Sequence, residues 1–501
     1  MAILGLDIGT TGAKAVVFDE SGLFLASSYK EYSLKSPQPG HLELDPHEVL
    51  AAIREVIGSA AAQVRGDAIR SVAASTMGEA AVPVDAGGNA LGNAIIGFDA
   101  RGQVEMEAFR KRISNEEVFA ITGHGINAYH TLFKALWWRD QRPEIFSRTK
   151  KLLCFGDFTI ASLGLPPRID HSMAARTLAF DVHRLRWSEP ILEAAGLPDI
   201  FAEPAAPGER VGVAPPNNFG LPAGCVVAAG LHDQPAGILG AGIRPGESML
   251  ATGTVVCLGV RIGGVPAAGP LVENNLCVYP TFGGGRVSIA WNFTGGSLLK
   301  WFRDQIADSD RAEALRRGVD PYDLILEGLP EEPTRLLVLP HFATSGTPSL
   351  DPQALGAILG LRLTTSRKEI TKALLEGLAY EVKLNAELLD RAGIEIKLYK
   401  AIGGAAKSAA WMQIYADVLD RPVAVLAVSE AAARGVALLG ARAAGIVSSN
   451  EQVEQIAANQ ARVERLFEPR PTHARAYRER FAIYRDLYPR TREMTHRIFA
   501  L

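Results

Sequence analysis

The chain has 501 residues, of which 48% are hydrophobic and 21% charged, and its formal net charge is −3. These values match an ordinary globular protein and exclude a mainly disordered chain. The near-neutral balance leaves no electrostatic footprint for nucleic acid or an anionic membrane. At about 150 residues per domain, the length suggests two to four domains. The four cysteines (Cys154, Cys225, Cys257, Cys277) are scattered, with no CxxC pair. This excludes a disulfide scaffold or a cysteine-based zinc site and fits a reducing, cytoplasmic setting. No apolar run reaches the length of a membrane span. The N-terminal stretch has no basic region and is interrupted by Asp7, so it does not read as a signal peptide.

Taken in chain order, Ile3–Leu6 is an apolar run ending at Asp7. Gly9-Thr10-Thr11-Gly12 is turn chemistry, and Ala15–Phe18 is a second apolar run. A helix is expected from about Pro46 to Val64, with Asp45 as N-cap, Pro46 in the first position and Glu48 completing a box-like pattern. Ile69–Ser75 reads as a buried strand. Strands alternating with helices imply an α/β architecture. A second strand–turn–strand recurs at Ser248–Arg261, with Ala251-Thr252-Gly253-Thr254 as its turn, preceded by the linker-like Ile243-Arg244-Pro245-Gly246. Two such hairpins, each opening about half of the chain, suggest two related domains, 1–244 and 245–501. Later, Ala401-Ile402-Gly403-Gly404 ends a short strand and Ser408 can cap the next helix. Helices are also expected at about Ala431–Ala444 and from Thr472, the latter with Tyr477, Phe481, Tyr484 and Leu487 on one side.

Glycine lets backbone N–H groups approach phosphate oxygens, and threonine hydroxyls add donors. Asp7-Ile8-Gly9-Thr10-Thr11-Gly12, with Lys14 close behind, supplies these groups, although a plain hairpin turn has the same composition. Asp7 would repel phosphate, so its sensible partner is a hydrated Mg2+. There is no GxxxxGK[ST] motif, which excludes a Walker-type phosphate loop. Thr252-Gly253-Thr254 alone reads as a turn. Opposite the first hairpin it would complete a phosphate clamp. Gly403-Gly404 serves either close packing or the approach of a flat ring.

Across essentially its whole length the chain resembles the FGGY carbohydrate kinases. The resemblance rests on Leu6-Asp7-Ile8-Gly9-Thr10-Thr11-Gly12-Ala13-Lys14, then on Gly230 to Gly237 around His232-Asp233-Gln234. It continues in Ala251-Thr252-Gly253-Thr254 with Gly295-Gly296-Ser297, and in Gly403 to Asp417. Tyr129 to Lys134 and Gly356 to Glu376 match the family's two signature stretches, with Ala135, Trp138 and Leu374 as departures. The resemblance implies an α/β fold of two actin-like, ribonuclease H-like ATPase domains flanking a cleft that closes to keep water from ATP. It implies ATP-dependent phosphorylation of an open-chain sugar, sugar acid or polyol, most of all by a xylulokinase-like pentulose kinase. A glycerol-kinase-type polyol kinase and a non-catalytic actin-like ATPase are the alternatives.

Residue by residue, the resemblance makes Asp233 the catalytic base. It assigns Asp7, Thr10, Thr11, Lys14, Gly253, Thr254, Gly296, Lys300, Gly403, Gly404 and Ser408 to the nucleotide and its phosphates, with Mg2+ held by Asp7 through water. Lys300 reads equally as an exposed helix lysine. Glu79, Asp99, Tyr129, Asp233 and Gln234 fall in the substrate pocket, where Glu79 and Asp99 read alternatively as salt-bridged carboxylates. Gly78 stands where glycerol-kinase-like members carry Arg, and Gly97 where the family carries Trp. The lost Arg is expected to leave room for a longer substrate. The implied partners are a small carbohydrate and ATP, with neither nucleic acid nor membrane, and a homodimer stays open.

Overall fold

The computed structural model describes residues 1–38, 40–64, 69–99, 101–216, 218–264, 266–427 and 430–501. The chain is mixed α/β and divides into two compact units. One comprises 1–243, 277–287 and 430–461; the other comprises 244–276, 288–429 and 462–501. The first crossing falls within the linker read from the sequence. The two later returns of the chain to the first unit were not expected from it.

In the first unit, strand Ala2–Ile8 is buried along nearly its whole length, as a central strand must be. It pairs antiparallel with Gly12–Asp19 through a tight turn in which Gly9 N–H donates to Gly12 O at 3.0 Å. On its other side it runs parallel to Ile69–Thr76. Val226–Ala228 continues in parallel, and Arg210–Val213 closes that edge antiparallel. The expected helix is present as Pro46–Gln63, and Asp45 caps it by accepting from His47 N–H. Glu48 does not complete a capping box, because its carboxylate accepts from Ser33 N–H instead.

The helix Ala431–Ala443 belongs to this unit. Val436, Ala437, Leu438 and Leu439 join Ile3, Val16 and Ala73 in one core cluster. Glycine permits the close approach: a Cβ on Gly5 would lie 1.9 Å from Ala433 O, and one on Gly435 would lie 2.2 Å from Ala236 O.

The second unit repeats the plan. Val256–Ile262 pairs antiparallel with Glu247–Thr252, which runs parallel to Leu398–Ile402 and then Val423–Leu426, with Val463–Phe467 antiparallel at the edge. The strand order and senses match those of the first unit: hairpin, two parallel neighbours, antiparallel edge. The duplication suggested by the two Gly/Thr turns is therefore carried by topology rather than by sequence identity. In the C-terminal helix Pro471–Phe499, Tyr477, Phe481 and Tyr484 are buried as expected, and Tyr488 rather than Leu487 takes the fourth buried position.

Candidate active site

The first unit gathers its polar groups at the carboxyl ends of adjacent parallel strands, where open α/β sheets place ligands. Register sets the alignment: Asp7 lies beside Ser75, Ile8 beside Thr76, and His232 also beside Thr76. Three chain segments thus end side by side, and Gly78-Glu79 and Asp233 follow directly from two of them.

Asp7 accepts from Ser75 Oγ at 2.9 Å. Burial, with Glu430 nearby, raises its carboxyl to about 6 in spite of Ser75 and Lys14. Lys14 Nζ is 2.7 Å from Glu430 Oε1, so in the free protein this lysine is ion-paired. Tyr32 hydroxyl donates to Gly9 O and Gly12 O and pins the turn. Thr10 and Thr11 stand at the open tip of that turn, and Thr11 is exposed. Asp7 suits a hydrated Mg2+: it is a single carboxylate with charge to spare, and Mg2+ takes one or two carboxylates and keeps several waters. Among the described residues there is no cluster of three metal-ligating side chains.

Asp233 opens the helix Asp233–Gly240. Its side chain is 33% exposed, while Oδ1 itself is sealed from solvent. Burial, then the neighbouring Asp7 and Glu79 charges, push its carboxyl up to about 7, against the lowering effect of Gln234. That value suits a group that must take up a proton near neutrality.

Glu79 is buried and has φ of 62°, an unusual backbone conformation for a non-glycine residue and one that tends to mark functional sites. Its carbonyl accepts from Thr131 Oγ1 at 3.0 Å. Its carboxylate is ion-paired with Arg176, the last residue of helix His171–Arg176. A Cβ on Gly97 would lie 2.8 Å from Glu79 Oε2, so Glu79 as placed requires glycine there. Gly78 corrects one expectation. A Cβ there would meet His232 Nε2 at 3.1 Å and Arg176 Nε at 3.5 Å. The side chain lost at Gly78 therefore leaves no simple void; an imidazole and a guanidinium from other elements fill the space.

Asp99 is likewise corrected. It is 0% exposed. Both of its oxygens face the Arg101 guanidinium, and Oδ2 also accepts from Leu42 N–H at 2.6 Å. Arg101 reaches on to Glu43 at 2.7 Å. With these partners Asp99 braces the pocket wall, and its oxygens are not free for a substrate hydroxyl. The neighbouring Ala100 lies outside the described residues. Tyr129 is half-buried and begins the turn that leads to Thr131, and Gln234 stands beside Asp233.

In the second unit the hairpin turn holds Gly253 and Thr254, with Gly253 N–H donating to Val255 O at 3.1 Å. Gly296 N–H donates to Gly253 O at 2.8 Å, and Ser297 Oγ donates to Thr254 O at 2.8 Å. The start of helix Gly296–Gln305 is thereby stitched to the turn. Gly403 has φ of 99°, and Thr252 Oγ1 ties the same strand end through Ile402 O at 2.8 Å. Around Gly404 a Cβ would meet none of the described residues within 4 Å. Ser408 caps helix Ala409–Leu419 by accepting from Trp411 N–H. These residues form one cluster. Lys300 is 64% exposed and paired with Asp304 at 2.7 Å.

Sequence reasoning missed Arg176, Tyr279, Ser75 and Glu430. Arg176 left a faint signal, a lone cation in the small-residue run Ala174-Ala175. The others left none, because only the fold brings them to the strand ends.

Residues 2–240 match the N-terminal domain, and 249–444 the C-terminal domain, of the FGGY family of carbohydrate kinases. The chain belongs to that family. A glycerol kinase of Halorhodospira halophila is 31% identical over 93% of this chain and 92% of its own. A xylulose kinase of Bacillus subtilis is 25% identical over 98% and 97%. The crystal structure of xylulose kinase from Rhodospirillum rubrum superposes with a TM-score of 0.86 at 26% identity, covering 99% of this chain and 100% of that one. This FGGY kinase is therefore a carbohydrate phosphotransferase of the two-domain, actin-like α/β type. Among its described residues no helix is long and apolar enough to cross a membrane.

Proposed function

We propose that this FGGY kinase transfers the γ-phosphoryl group of ATP to a hydroxyl of an open-chain ketose, a pentulose before other lengths. The observation that carries the reading is the buried Glu79–Arg176 pair beside Asp233. A carboxylate accepts paired hydrogen bonds from vicinal hydroxyls, and a guanidinium offers donors to a carbonyl oxygen. A ketose carries both groups; glycerol carries hydroxyls alone. The similarity to a glycerol kinase over most of the chain supports a second reading, a polyol substrate.

In the reaction the substrate oxygen attacks the γ-phosphorus, the bond from phosphorus to the β–γ bridging oxygen breaks, and ADP leaves. Asp233 accepts the hydroxyl proton. The nucleotide is assigned to Gly253, Thr254, Gly296, Gly403, Gly404 and Ser408, with the phosphate turn at Thr10, Thr11 and Lys14. For Lys14 this assignment means exchanging Glu430 for phosphate. Lys300 is left at the rim. Asp7 would hold Mg2+ through water, and the ion would supply neutralisation of phosphate charge. Glu79, Tyr129 and Gln234 orient the sugar. In domain terms, residues 1–244 carry the sugar chemistry and 245–501 the adenosine, with the helix Ala431–Ala443 structurally part of the former.

The test is an ADP-release screen over ketoses, sugar acids and polyols. A ketopentose is expected to give the highest kcat/KM. Glycerol outperforming every four- to seven-carbon compound would refute the ketose reading in favour of the polyol one.

A further inference from the structure

The resemblance assigns the base at Asp233, and a chain of polar contacts continues behind it. His232 Nε2 lies 3.1 Å from Asp233 Oδ1. The contact is at hydrogen-bonding distance but off its axis, and among the described residues Oδ1 has no other hydrogen-bond partner. On the far side of the ring, His232 Nδ1 is 3.0 Å from the Tyr279 hydroxyl. Tyr279 is fully buried and His232 nearly so. Tyr279 comes from residues 277–287, the short segment in which the chain returns to the first unit. The backbone of His232 is fixed as well, because its N–H donates to Ser172 Oγ at 2.9 Å and Ser172 in turn donates to Asp170.

We propose that Tyr279 and His232 form a positioning relay that orients the Asp233 carboxylate and keeps it in its proton-accepting form. The proposal rests on the reading of Asp233 as the base. A ring nitrogen facing a carboxylate is attractive only if it carries the hydrogen. A Tyr279 hydroxyl that donates to Nδ1 selects that tautomer, with the hydrogen on Nε2. The ring then donates to Oδ1 and turns Oδ2 toward the substrate hydroxyl. Catalytic hydrogen bonds of this kind are often poorly aligned in free enzymes and tighten with substrate bound.

The surrounding charges keep the ring in a positioning role. Burial and the Arg176 guanidinium hold His232 well below its ordinary value, so it stays neutral and takes no proton itself. His124, the other imidazole against Tyr279, is held down in the same way, with its ring 5.0 Å from that of Tyr279. The charges facing Asp233 are Asp7 and Glu79, both of which raise it, and Gln234 is its polar neighbour. Against these, Gln234 favours the ionised base, and in the proposed relay a donor from His232 adds to it.

Tyr279→Phe keeps the ring contacts and removes the hydroxyl. The experiment is the pH profile of kcat for wild type, Tyr279→Phe and Asp233→Asn on the best substrate of the screen. In Tyr279→Phe the acidic limb is expected to move up by about one pH unit, as loss of a hydrogen bond to a charged form does. At pH 7 kcat then falls about fivefold and recovers by pH 9, while KM for sugar and for ATP changes less than twofold. Asp233→Asn should be low at every pH, and a near-wild-type Asp233→Asn would refute the base, a failure distinct from that of the relay. An unmoved limb in folded Tyr279→Phe overturns the relay, whether or not kcat falls. Should Tyr279→Phe not fold, His232→Phe removes the donor to Asp233 directly and is read by the same limb.

Discussion

Asp233→Asn should slow the enzyme and stabilise it, and the second effect follows from the structure. Burial beside Asp7 and Glu79 raises the Asp233 carboxyl from its ordinary 3.8 to about 7. In the unfolded chain this group loses its proton near 3.8; in the native protein it holds it until about 7. Between those values the native state binds more protons than the unfolded one, so stability from this residue falls as pH rises through the window. Above about pH 7 the cost is fully present, and below about pH 3.8 it is absent. About three pH units correspond to about 4 kcal/mol at 1.36 kcal/mol per unit. With the side chain 33% exposed, solvent screening reduces this to roughly 1–2 kcal/mol.

Asparagine keeps the shape and can still accept from His232, but it has no charge to bury. Thermal unfolding at pH 8 should therefore show Asp233→Asn melting higher by about 2–6 °C, with most of the gap closing at pH 4.5. Asp170 titrates alike in both proteins and cancels in the difference, whereas removal of the Asp233 charge also relieves Asp7 and adds to the gain at pH 8. In the same samples kcat should fall by about a hundred- to ten-thousand-fold. A variant that melts lower at pH 8, or by the same margin at both pH values, would refute the argument that Asp233 is a strained buried charge.

The other expectations concern the two ligands separately. Glu79→Ala should raise the sugar KM about ten- to a hundredfold and leave the ATP KM within twofold, since truncating one partner of a charged hydrogen bond costs about 1.5–3 kcal/mol; steady-state kinetics with each substrate varied in turn decides it. Gly97→Ala should do the same in milder form, because the added Cβ meets Glu79 Oε2 at 2.8 Å; a wild-type sugar KM would show that Glu79 can shift without consequence. Gly404→Leu should fold normally, there being no described residue within 4 Å of its Cβ, and should weaken ATP binding about tenfold or more in calorimetry with the sugar unaffected. Asp99→Asn should act through stability, lowering the melting temperature by loosening the Arg101 pair while the sugar KM stays within threefold, in contrast to Glu79→Ala.

What the sequence made legible was the set of local signals. Turn glycines, caps and apolar periodicity are written in neighbouring residues, so the hairpins at Gly9–Gly12 and Thr252–Thr254, the helix from Pro46 and the cap at Ser408 could be read directly. Asp233 was legible because its neighbours Gln234 and Gly237 carry a family pattern. The less legible features depend on pairing across long separations. Asp99 and Glu79 look alike in sequence, each a carboxylate after an apolar stretch. Their difference lies in their partners: Arg101 and Leu42 occupy Asp99, whereas Glu79 faces Arg176 from an element about a hundred residues away.

The chain returns twice to its first unit, and each return brings a polar group toward the strand ends. A sheet edge that ends in Asp7, Glu79 and Asp233 concentrates negative charge, and the Asp7 and Glu79 charges both raise the Asp233 carboxyl. Such a cluster is tolerable only with counter-groups, and the local segments supply few. Arg176 answers Glu79, and Lys14 is held in place by Glu430 at the entry to helix Ala431–Ala443. Tyr279 reaches Asp233 through His232. Two of these groups arrive on the returning segments, 277–287 and 430–461. The segments that complete the core of the unit also bring Glu430, whose charge raises Asp7, and Tyr279, the outer member of the proposed relay.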